Sequence, residues 1–440
     1  MRSTLKALAV LGALSVTAAA CSSSSNNSTT TTAATSGNSG TSATTGNTGG
    51  GAGDVSTGVT ATSVTVGQID DISLPVPGLF KGAEDGAQAY FDYVNSTGGV
   101  NGRRLKLDAR DSTFQGGAIT AATADQVKND FALVGGFSLL DSSEQPVIDL
   151  AHMPDIGFPL SPQLANDPNV FSPLPNTNDN TPNGFMKYLA HKYPQAVKHV
   201  GILWAQATAS TAAAETAFEN SMKSAGFDIV YNRGFSPFES TFLPDVLKMK
   251  NAGVQLFYSQ QMPDNYAATL AKEMQQQSFT PIMIQGAAYS NNLVSLGGSA
   301  VNNMYIAQGY ALYLGQDAGS VPAVSLFDKW VKKADPQATF EIETLYGWAS
   351  AELFTQALRA AGANPTRASL VAQLGKVTSF NADGLIPTDN PSANIPAQCW
   401  LLAQIRNGKI VRATPPTPST GFQCSPGGLL TSPSFQPEQR

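Results

Sequence analysis

The sequence predicts an α/β protein with two similar lobes, each built on a parallel sheet flanked by helices. Short apolar segments alternate with amphipathic helical patterns in two successive runs, and a Pro- and Asn-rich stretch over residues 172–183 separates them. This alternation is typical of parallel sheets joined by right-handed crossovers. The roughly 380 residues that follow residue 60 also exceed what one compact core usually holds.

The first run begins with a β-like segment, Val64–Ile69, in which apolar residues alternate with polar ones. The next apolar residues recur at the spacing of one helix face, between residues 83 and 94. Gly98 and Gly99 then supply a left-handed helix end. Further elements are predicted as strands at 105–107, 131–134 and 156–160 and as helices at 118–127 and 141–150.

The second run repeats the pattern, and the rest of the chain returns to both lobes. Strands are predicted at 200–204, 227–231, 254–258 and 281–284, with helices at 211–225 and 264–277. A helix over 343–361 should rejoin the first lobe, and strands at 400–404 and 409–411 the second. We therefore expect residues 62–178 and 310–380 in lobe 1, and residues 179–309 and 381–413 in lobe 2. Three passages of the chain between the lobes would form a hinge.

The N-terminus predicts export. Arg2 and Lys6 precede a short apolar run, Ala7–Ala20, which is typical of a signal peptide over residues 1–20. The small residues before Cys21 resemble the lipobox of bacterial lipoproteins, although Ala18 stands where that family usually has Leu. The resemblance implies that Cys21 is acylated and anchors the protein to the outer face of the cell membrane. The alternative is an ordinary secretory signal with Cys21 as a plain thiol.

Composition limits what the rest of the chain can be. Residues 21–60 are rich in Ser, Thr and Gly, and we expect a disordered tether there, because such a segment buries too little apolar area to fold. The net charge of −6 is mild and predicts no nucleic-acid partner. His152, His191 and His199 are scattered, so no metal or other cofactor is expected.

The other two cysteines, Cys399 and Cys424, predict a disulfide, since an isolated pair in an exported protein is most simply oxidised. The alternative is two unpaired thiols. In the chain-entropy model, closing a loop of about 25 residues is worth roughly 3.5 kcal/mol. The bond would tether the Pro- and Ser-rich tail expected over residues 414–440.

Three segments resemble a known family. Gly82–Ser112 resembles the opening of the branched-chain amino-acid-binding proteins of ABC importers, with a G-A-x-x-A helix face followed by N-x-x-G-G-V-x-G. Leu133–Pro162 and Val254–Asn265 are similar to later blocks of that family. The resemblance implies a Venus-flytrap receptor of the type I periplasmic-binding fold, which acts as a monomer. Its lobes close over a small molecule, which is then delivered to an ABC-type permease in the membrane.

The candidate binding residues come from two arguments. In open α/β sheets, ligands bind beyond the carboxyl ends of the strands, where helix N-termini present free N–H groups. The resemblance assigns carboxylate binding to the loops at 138–139 and 161–165, ligand stacking to position 261 and the ammonium partner to position 286. Gly286 lacks an acid, so Asp71 is expected to supply one from the other lobe. The expected ligand-binding residues are Asp71, Ser138, Leu139, Ser161, Pro162, Gln163, Gln261, Gln285, Gly286 and Tyr289.

The predicted function is an extracytoplasmic receptor for a small polar molecule, either an amino acid or a related amide or organic metabolite. The amides of Gln260, Gln261 and Gln285 favour a neutral polar ligand. A sensor of the same fold and a surface lipoprotein that binds nothing are the alternatives. An enzyme is not expected, because the sequence contains no nucleophile elbow, phosphate loop, zinc-protease motif or dinucleotide fingerprint.

Overall fold

The computed structural model describes residues 57–175, 180–260, 262–286, 288–413, 421–424 and 429–431. The predicted signal peptide, Cys21 and most of the predicted tether and tail lie outside the described residues. The strands are β1 Ser63–Asp70, β2 Arg104–Asp111, β3 Leu133–Val134, β4 Asp155–Ile156, β5 Val170–Phe171, β6 Asn180–Pro182, β7 Val200–Ala205, β8 Ile229–Phe235, β9 Leu256–Ser259, β10 Ile282–Gln285, β11 Tyr305–Gln308, β12 Cys399–Arg406, β13 Lys409–Arg412, β14 Gln423–Cys424 and β15 Leu429–Thr431. The helices are α1 Lys81–Ser96, α2 Gly116–Asn129, α3 Gln145–Ala151, α4 Pro162–Ala165, α5 Gly184–Lys192, α6 Ala209–Ser224, α7 Leu243–Asn251, α8 Asp264–Gln276, α9 Asn291–Gly297, α10 Pro322–Ala334, α11 Ile342–Ala361 and α12 Arg367–Leu374.

The first lobe is built on a five-stranded sheet in the order β2-β1-β3-β4-β5, with every pairing parallel. Strand β1, which lies between β2 and β3, is buried along almost its whole length. The predicted strands at 131–134 and 156–160 shorten to two residues each: β3 keeps only the last two predicted residues, and β4 ends at Ile156, where the chain leaves the sheet.

The second lobe is built on a larger sheet in the order β13-β12-β11-β10-β9-β7-β8. Strands β7 to β11 pair in parallel, and the late strands β12 and β13 add to the sheet in antiparallel pairings. β14 extends this arrangement by pairing with β12, and there Cys399 and Cys424 are register partners joined by a disulfide bond.

Helix α11 returns to the first lobe and packs directly on α1. The contact is close because both helices present glycine: a Cβ added to Gly86 would lie 1.9 Å from the Thr344 carbonyl oxygen, and one added to Gly347 would lie 1.9 Å from the Ala83 carbonyl oxygen. The buried Trp348 ring beside this contact meets the Tyr90 ring edge-on, with 4.9 Å between centroids. The helix that the sequence predicts over 343–361 therefore completes the first lobe.

The described chain passes from one sheet to the other three times, between β5 and β7, between β11 and α10, and between α12 and β12. This path confirms the predicted fold class of two α/β lobes joined by three crossings, with the difference that the second sheet is mixed because β12 and β13 pair antiparallel. No described helix is long and apolar enough to cross a membrane.

Candidate functional site

A cleft of about 390 Å³ lies where the two sheets face each other, and both lobes supply its walls. It is lined by residues that directly follow strands of both sheets, such as Phe137 after β3, Phe158 after β4, Gln260 after β9 and Gly286 after β10. The carboxyl ends of parallel strands are where open α/β sheets bind ligands. A volume in this range suits a small organic molecule.

The first lobe contributes an aromatic wall, which we define as Phe80, Phe137, Phe158 and Tyr346. The Phe158 and Tyr346 rings stack with centroids 4.1 Å apart, and Phe137 stacks on both at 5.5 and 5.6 Å. Phe80 meets Phe137 edge-on at 4.5 Å. These rings support one another and are pre-arranged, so a ligand that packs on them orders little side-chain structure.

The second lobe contributes a smaller apolar surface. Phe235 and Tyr266 meet edge-on with centroids 5.9 Å apart, and Met262 lines the cleft between the strands and α8. The Tyr266 hydroxyl donates to the Pro237 carbonyl oxygen, which fixes its ring at the edge of the cleft. Both walls of the cleft are therefore largely apolar.

Three carboxyl groups also line the cleft: Asp264 from the second lobe, and Glu341 and Glu343 from the first lobe at the start of α11. We call them the acidic cluster. Among the described residues that line the cleft there is no Lys, Arg or His. The walls thus carry carboxyl groups and no basic side chain to pair with them.

The pKa values of the acidic cluster are raised, and burial is the main cause. Burial and the charges of Glu343 and Asp264 raise the pKa of Glu341 to about 9. Burial raises the pKa of Glu343 to about 7, with a further contribution from Asp264, although its own backbone N–H opposes the shift. Burial also raises the pKa of Asp264, which accepts a hydrogen bond from the Ser290 hydroxyl. The charge of Asp264 therefore acts on the pKa of both glutamates, and the charge of Glu343 acts on the pKa of Glu341.

Two of the sequence-predicted site residues, Leu139 and Gly286, line the cleft. Gly286 leaves no room for the acid that the family resemblance implies there, because an added Cβ would lie 2.8 Å from the Gln260 carbonyl oxygen. Gln260 also lines the cleft, and its Oε1 accepts a hydrogen bond of 2.6 Å from the Tyr258 hydroxyl. Gln261 lies outside the described residues.

Asp71 and Ser138 are brought together, but beneath the cleft wall and bonded to each other. The fully buried Asp71 carboxylate accepts hydrogen bonds from the Ser138 hydroxyl and the Leu139 N–H, both at 2.8 Å, and from the Ser112 hydroxyl. Burial nonetheless raises its pKa. The groups assigned to a ligand carboxylate in this loop are therefore engaged by a carboxylate of the protein itself.

The loop at Ser161 is engaged in the same way. Its N–H donates to the Asp141 carboxylate at 3.0 Å, and its hydroxyl accepts from the Leu164 N–H at 3.3 Å, which caps α4. Pro162 is half-buried and Gln163 is exposed. None of these three residues is among those that line the cleft.

Gln285 and Tyr289 are buried behind the wall of the second lobe. Neither side-chain polar atom of Gln285 has a hydrogen-bond partner among the described residues. The Tyr289 hydroxyl donates to Gln316 and accepts from the Leu314 N–H at 3.2 Å, and its ring packs on Tyr313 in the core. Of the predicted amides at 260, 261 and 285, Gln260 lines the cleft, Gln285 is buried behind it, and Gln261 lies outside the described residues.

The aromatic wall and the acidic cluster are the features that sequence reasoning missed. Phe158 and Tyr346 fit ordinary core spacing, and Glu341 and Glu343 fit the acidic first turn of a helix. Only their positions in the sequence could have indicated a site. Phe158 follows the end of β4, and the other three residues lie at or near the start of α11. No group of three or more His, Cys, Asp or Glu among the described residues is arranged to hold a metal ion.

The fold is shared with solved solute-binding proteins. A fatty acid ABC transporter substrate-binding protein from Thermomonospora curvata matches with a TM-score of 0.69 at 19% identity, covering 83% of this chain and 94% of that one. A branched-chain amino acid ABC transporter protein from Thermus thermophilus with bound valine matches with a TM-score of 0.70 at 15% identity, covering 83% and 97%. A branched-chain amino acid transporter substrate-binding protein from Streptococcus pneumoniae in complex with isoleucine matches with a TM-score of 0.65 at 15% identity, covering 79% and 98%.

No curated protein sequence matches the chain. The sequence model of the periplasmic binding protein family, in contrast, matches residues 63–409, which include the first sheet, the second sheet through β12, and all three crossings. A family of this kind binds solutes outside the cytoplasm. The chain belongs to the periplasmic binding protein family.

Proposed function

We propose that this protein is the solute receptor of an ABC-type importer and captures a small molecule with an apolar or aromatic body. The observation that carries the proposal is the stacked aromatic wall of Phe137, Phe158 and Tyr346 at the carboxyl end of the first sheet. A polar solute would leave most of this wall without a partner, whereas apolar area removed from water gains roughly 25 cal/mol per Å².

The three similar structures support an apolar body. Their printed names refer to a fatty acid, valine and isoleucine, all of which carry a hydrocarbon portion. They differ in polar end groups, so likeness of fold does not choose among those groups. The named ligands have a hydrocarbon portion in common, and a hydrocarbon portion would pack on the apolar walls of this cleft.

Delivery to a membrane permease and attachment through Cys21 are parts of the same proposal. A lipid at Cys21 and a tether over residues 21–60 would keep a monomeric receptor near its transporter. Replacement of Cys21 by Ser should release the protein from washed membranes into the medium, while the parent chain remains in the membrane fraction. Equal release of both chains would contradict the anchor without affecting the binding proposal.

The binding proposal is tested by thermal unfolding of the full chain against a panel of amino acids, amines, fatty acids, aromatic acids and sugars. A ligand at a hundredfold excess over its Kd should stabilise the fold by about 2.7 kcal/mol. Phe158→Ala should weaken the response because it removes the centre of the aromatic wall. Leu150→Ala, at an 86% exposed position on α3, is the matched control. If no member of the panel stabilises the chain, the receptor proposal fails.

A further inference from the structure

We infer that the ligand is a small organic amine: an apolar or aromatic body that carries an ammonium group and no free carboxylate. The inference rests on the proposed function and names the substrate class of the same cleft. Three observations support it: the charge of the walls, the occupied state of the groups that would bind a carboxylate, and the aromatic faces beside the acidic cluster.

The walls favour a cation and disfavour an anion. Asp264, Glu341 and Glu343 line the cleft from both lobes, without a basic side chain among the described lining residues. Lys81 is the first residue of α1 and follows Phe80, which lines the cleft, but its ammonium group is paired with Glu84 at 3.2 Å and with Asp85. An anionic group in this cleft would meet the acidic cluster without a counter-charge, and burial of an unpaired charge costs several kcal/mol.

The donors that would hold a carboxylate are already taken. Asp71 accepts from Ser138 and Leu139 in the loop after β3. Asp141 accepts from the N–H groups of Leu160 and Ser161 in the loop after β4. To bind there, a ligand carboxylate would have to displace a buried carboxylate of the protein and leave that group without its partners.

Two of the helix N-termini that face the cleft, those of α11 and α9, are capped by the protein's own groups, whereas those of α1 and α8 have no side-chain cap. Glu341 accepts from the third backbone N–H of α11, that of Thr344. At α9, the Ser290 hydroxyl accepts from the N–H groups of Asn292 at 3.0 Å and Leu293 at 3.3 Å. The positive ends of the α11 and α9 dipoles are therefore turned toward side chains rather than toward an open anion site.

The cluster and the aromatic wall together suit an ammonium group. Tyr346 lines the cleft one helical turn after Glu343, and it stacks on Phe158. A cation near such ring faces gains about 0.5–2 kcal/mol, more when it is desolvated. The carboxylates would supply the hydrogen-bond acceptors and counter-charges that a buried ammonium requires.

The buried hydroxyl of Tyr310, near the acidic cluster, is a polar group without a hydrogen-bond partner among the described residues. The Tyr310 side chain is 2% exposed. Burial raises its pKa, and the nearby Tyr346, Glu343 and Asp264 groups raise it further. Tyr310 is not among the residues that line the cleft, but its phenol oxygen lies near Glu343 and Asp264 and is a further acceptor for an N–H donor.

The test is isothermal titration of the full chain with matched sets that differ only in charged groups. One set is 3-methylbutylamine, leucine and 4-methylpentanoate, and the other is 2-phenylethylamine, phenylalanine and 3-phenylpropanoate. We expect the amine of at least one set to bind at least about tenfold more tightly than its amino acid and its acid, given the value of a charged hydrogen bond. An acid or amino acid that binds as tightly as its amine overturns the inference and leaves the receptor proposal standing.

The binding results distinguish a failure of the amine inference from a failure of the receptor proposal. If all six compounds fail but a sugar or another solute of the wider panel that is not an amine binds, the amine inference is wrong and the receptor proposal survives. If no solute in the panel binds, both fail. A ligand that gives the strongest response without carrying an amine likewise overturns the inference.

Variants test the carboxylates directly. Glu343→Gln should weaken the bound amine at least about tenfold and should leave a neutral analogue of the same body nearly unaffected. Glu352→Gln is the matched control, because Glu352 lies on the same helix, burial raises its pKa to about 8, and it does not line this cleft. Equal loss in both variants, or unchanged amine affinity in Glu343→Gln, would contradict the assignment.

Discussion

Two sets of carboxyl groups lie at the same end of the sheets, and their surroundings differ. Asp71 and Asp141, which we call the loop-holding pair, each accept several hydrogen bonds from backbone N–H or hydroxyl groups. Glu341 and Glu343 of the acidic cluster line the cleft and receive one backbone N–H each. Asp264 is intermediate in its number of hydrogen bonds, since it lines the cleft and accepts from the Ser290 hydroxyl at the start of α9. Residues of one chemical type thus hold the scaffold in one place and remain available to a ligand in the other.

The largest expected effect is on the loop-holding pair. Asp71→Ala removes the acceptor of the Ser112 and Ser138 hydroxyls and of the Leu139 N–H. Leaving these donors buried without a partner should lower the free energy of unfolding by about 3 kcal/mol, as measured by urea denaturation. Asp71→Asn keeps one acceptor oxygen and should lose less. A near-normal stability together with a large loss of ligand affinity would instead place Asp71 at the ligand.

This comparison also separates what the sequence could predict from what it could not. The alternation of strands and helices predicts two lobes built on parallel sheets. The helix predicted over 343–361 begins one residue after the observed start of α11, Ile342. Strand β11 and helix α12 were not predicted, because their short apolar runs carry weak periodicity. Helix α10 was not predicted either, although its apolar residues recur on one helix face.

The candidate site was harder to predict, because it depends on which donors meet which acceptors across long sequence distances. Asp71 and Ser138 are 67 positions apart, and the sequence cannot tell that their bond is internal. The acidic cluster joins Asp264 to Glu341 across one of the chain crossings. Local patterns identify the sheet ends where a site forms, and tertiary packing decides which side chains reach it.

A smaller effect is expected from the pH dependence of the acidic cluster. The groups that act on it are Asp264, Glu341, Glu343 and, on α1, Asp85 with its partner Lys81. Glu341 and Glu343 have folded-state pKa values of about 9 and about 7, above the ordinary value of 4.5. The folded chain therefore binds more protons than the unfolded chain between about pH 4.5 and 9, so this contribution to stability is lost as pH rises.

The measurement is the thermal midpoint of the ligand-free chain between pH 5 and 9. Glu343→Gln should flatten the decline and raise the stability at pH 8 by on the order of 1 kcal/mol. Glu352→Gln should also flatten the decline of the thermal midpoint over a similar pH range, since the pKa of Glu352 is raised too. Only Glu343→Gln should change the effect of an added amine on the pH dependence of the midpoint. A bound cation would favour the ionised cluster, so affinity for the amine should increase from pH 6 to pH 8. An affinity that falls over this range would contradict the cluster as its binding partner.

The smallest expected effect concerns Ser161, which sequence reasoning placed at the ligand and which caps the short helix α4. Ser161→Ala removes the cap hydroxyl but keeps the backbone N–H that donates to Asp141. The free energy of unfolding should fall by about 1 kcal/mol, the usual value of a lost N-cap, while the affinity for a ligand stays within about twofold. Thr366→Ala, which removes the N-cap of α12 far from the cleft, is the matched control for a pure cap loss. If Ser161→Ala lowers affinity tenfold and Thr366→Ala does not, Ser161 contacts the ligand in the closed receptor, and the loop after β4 belongs to the binding site as well as to the scaffold.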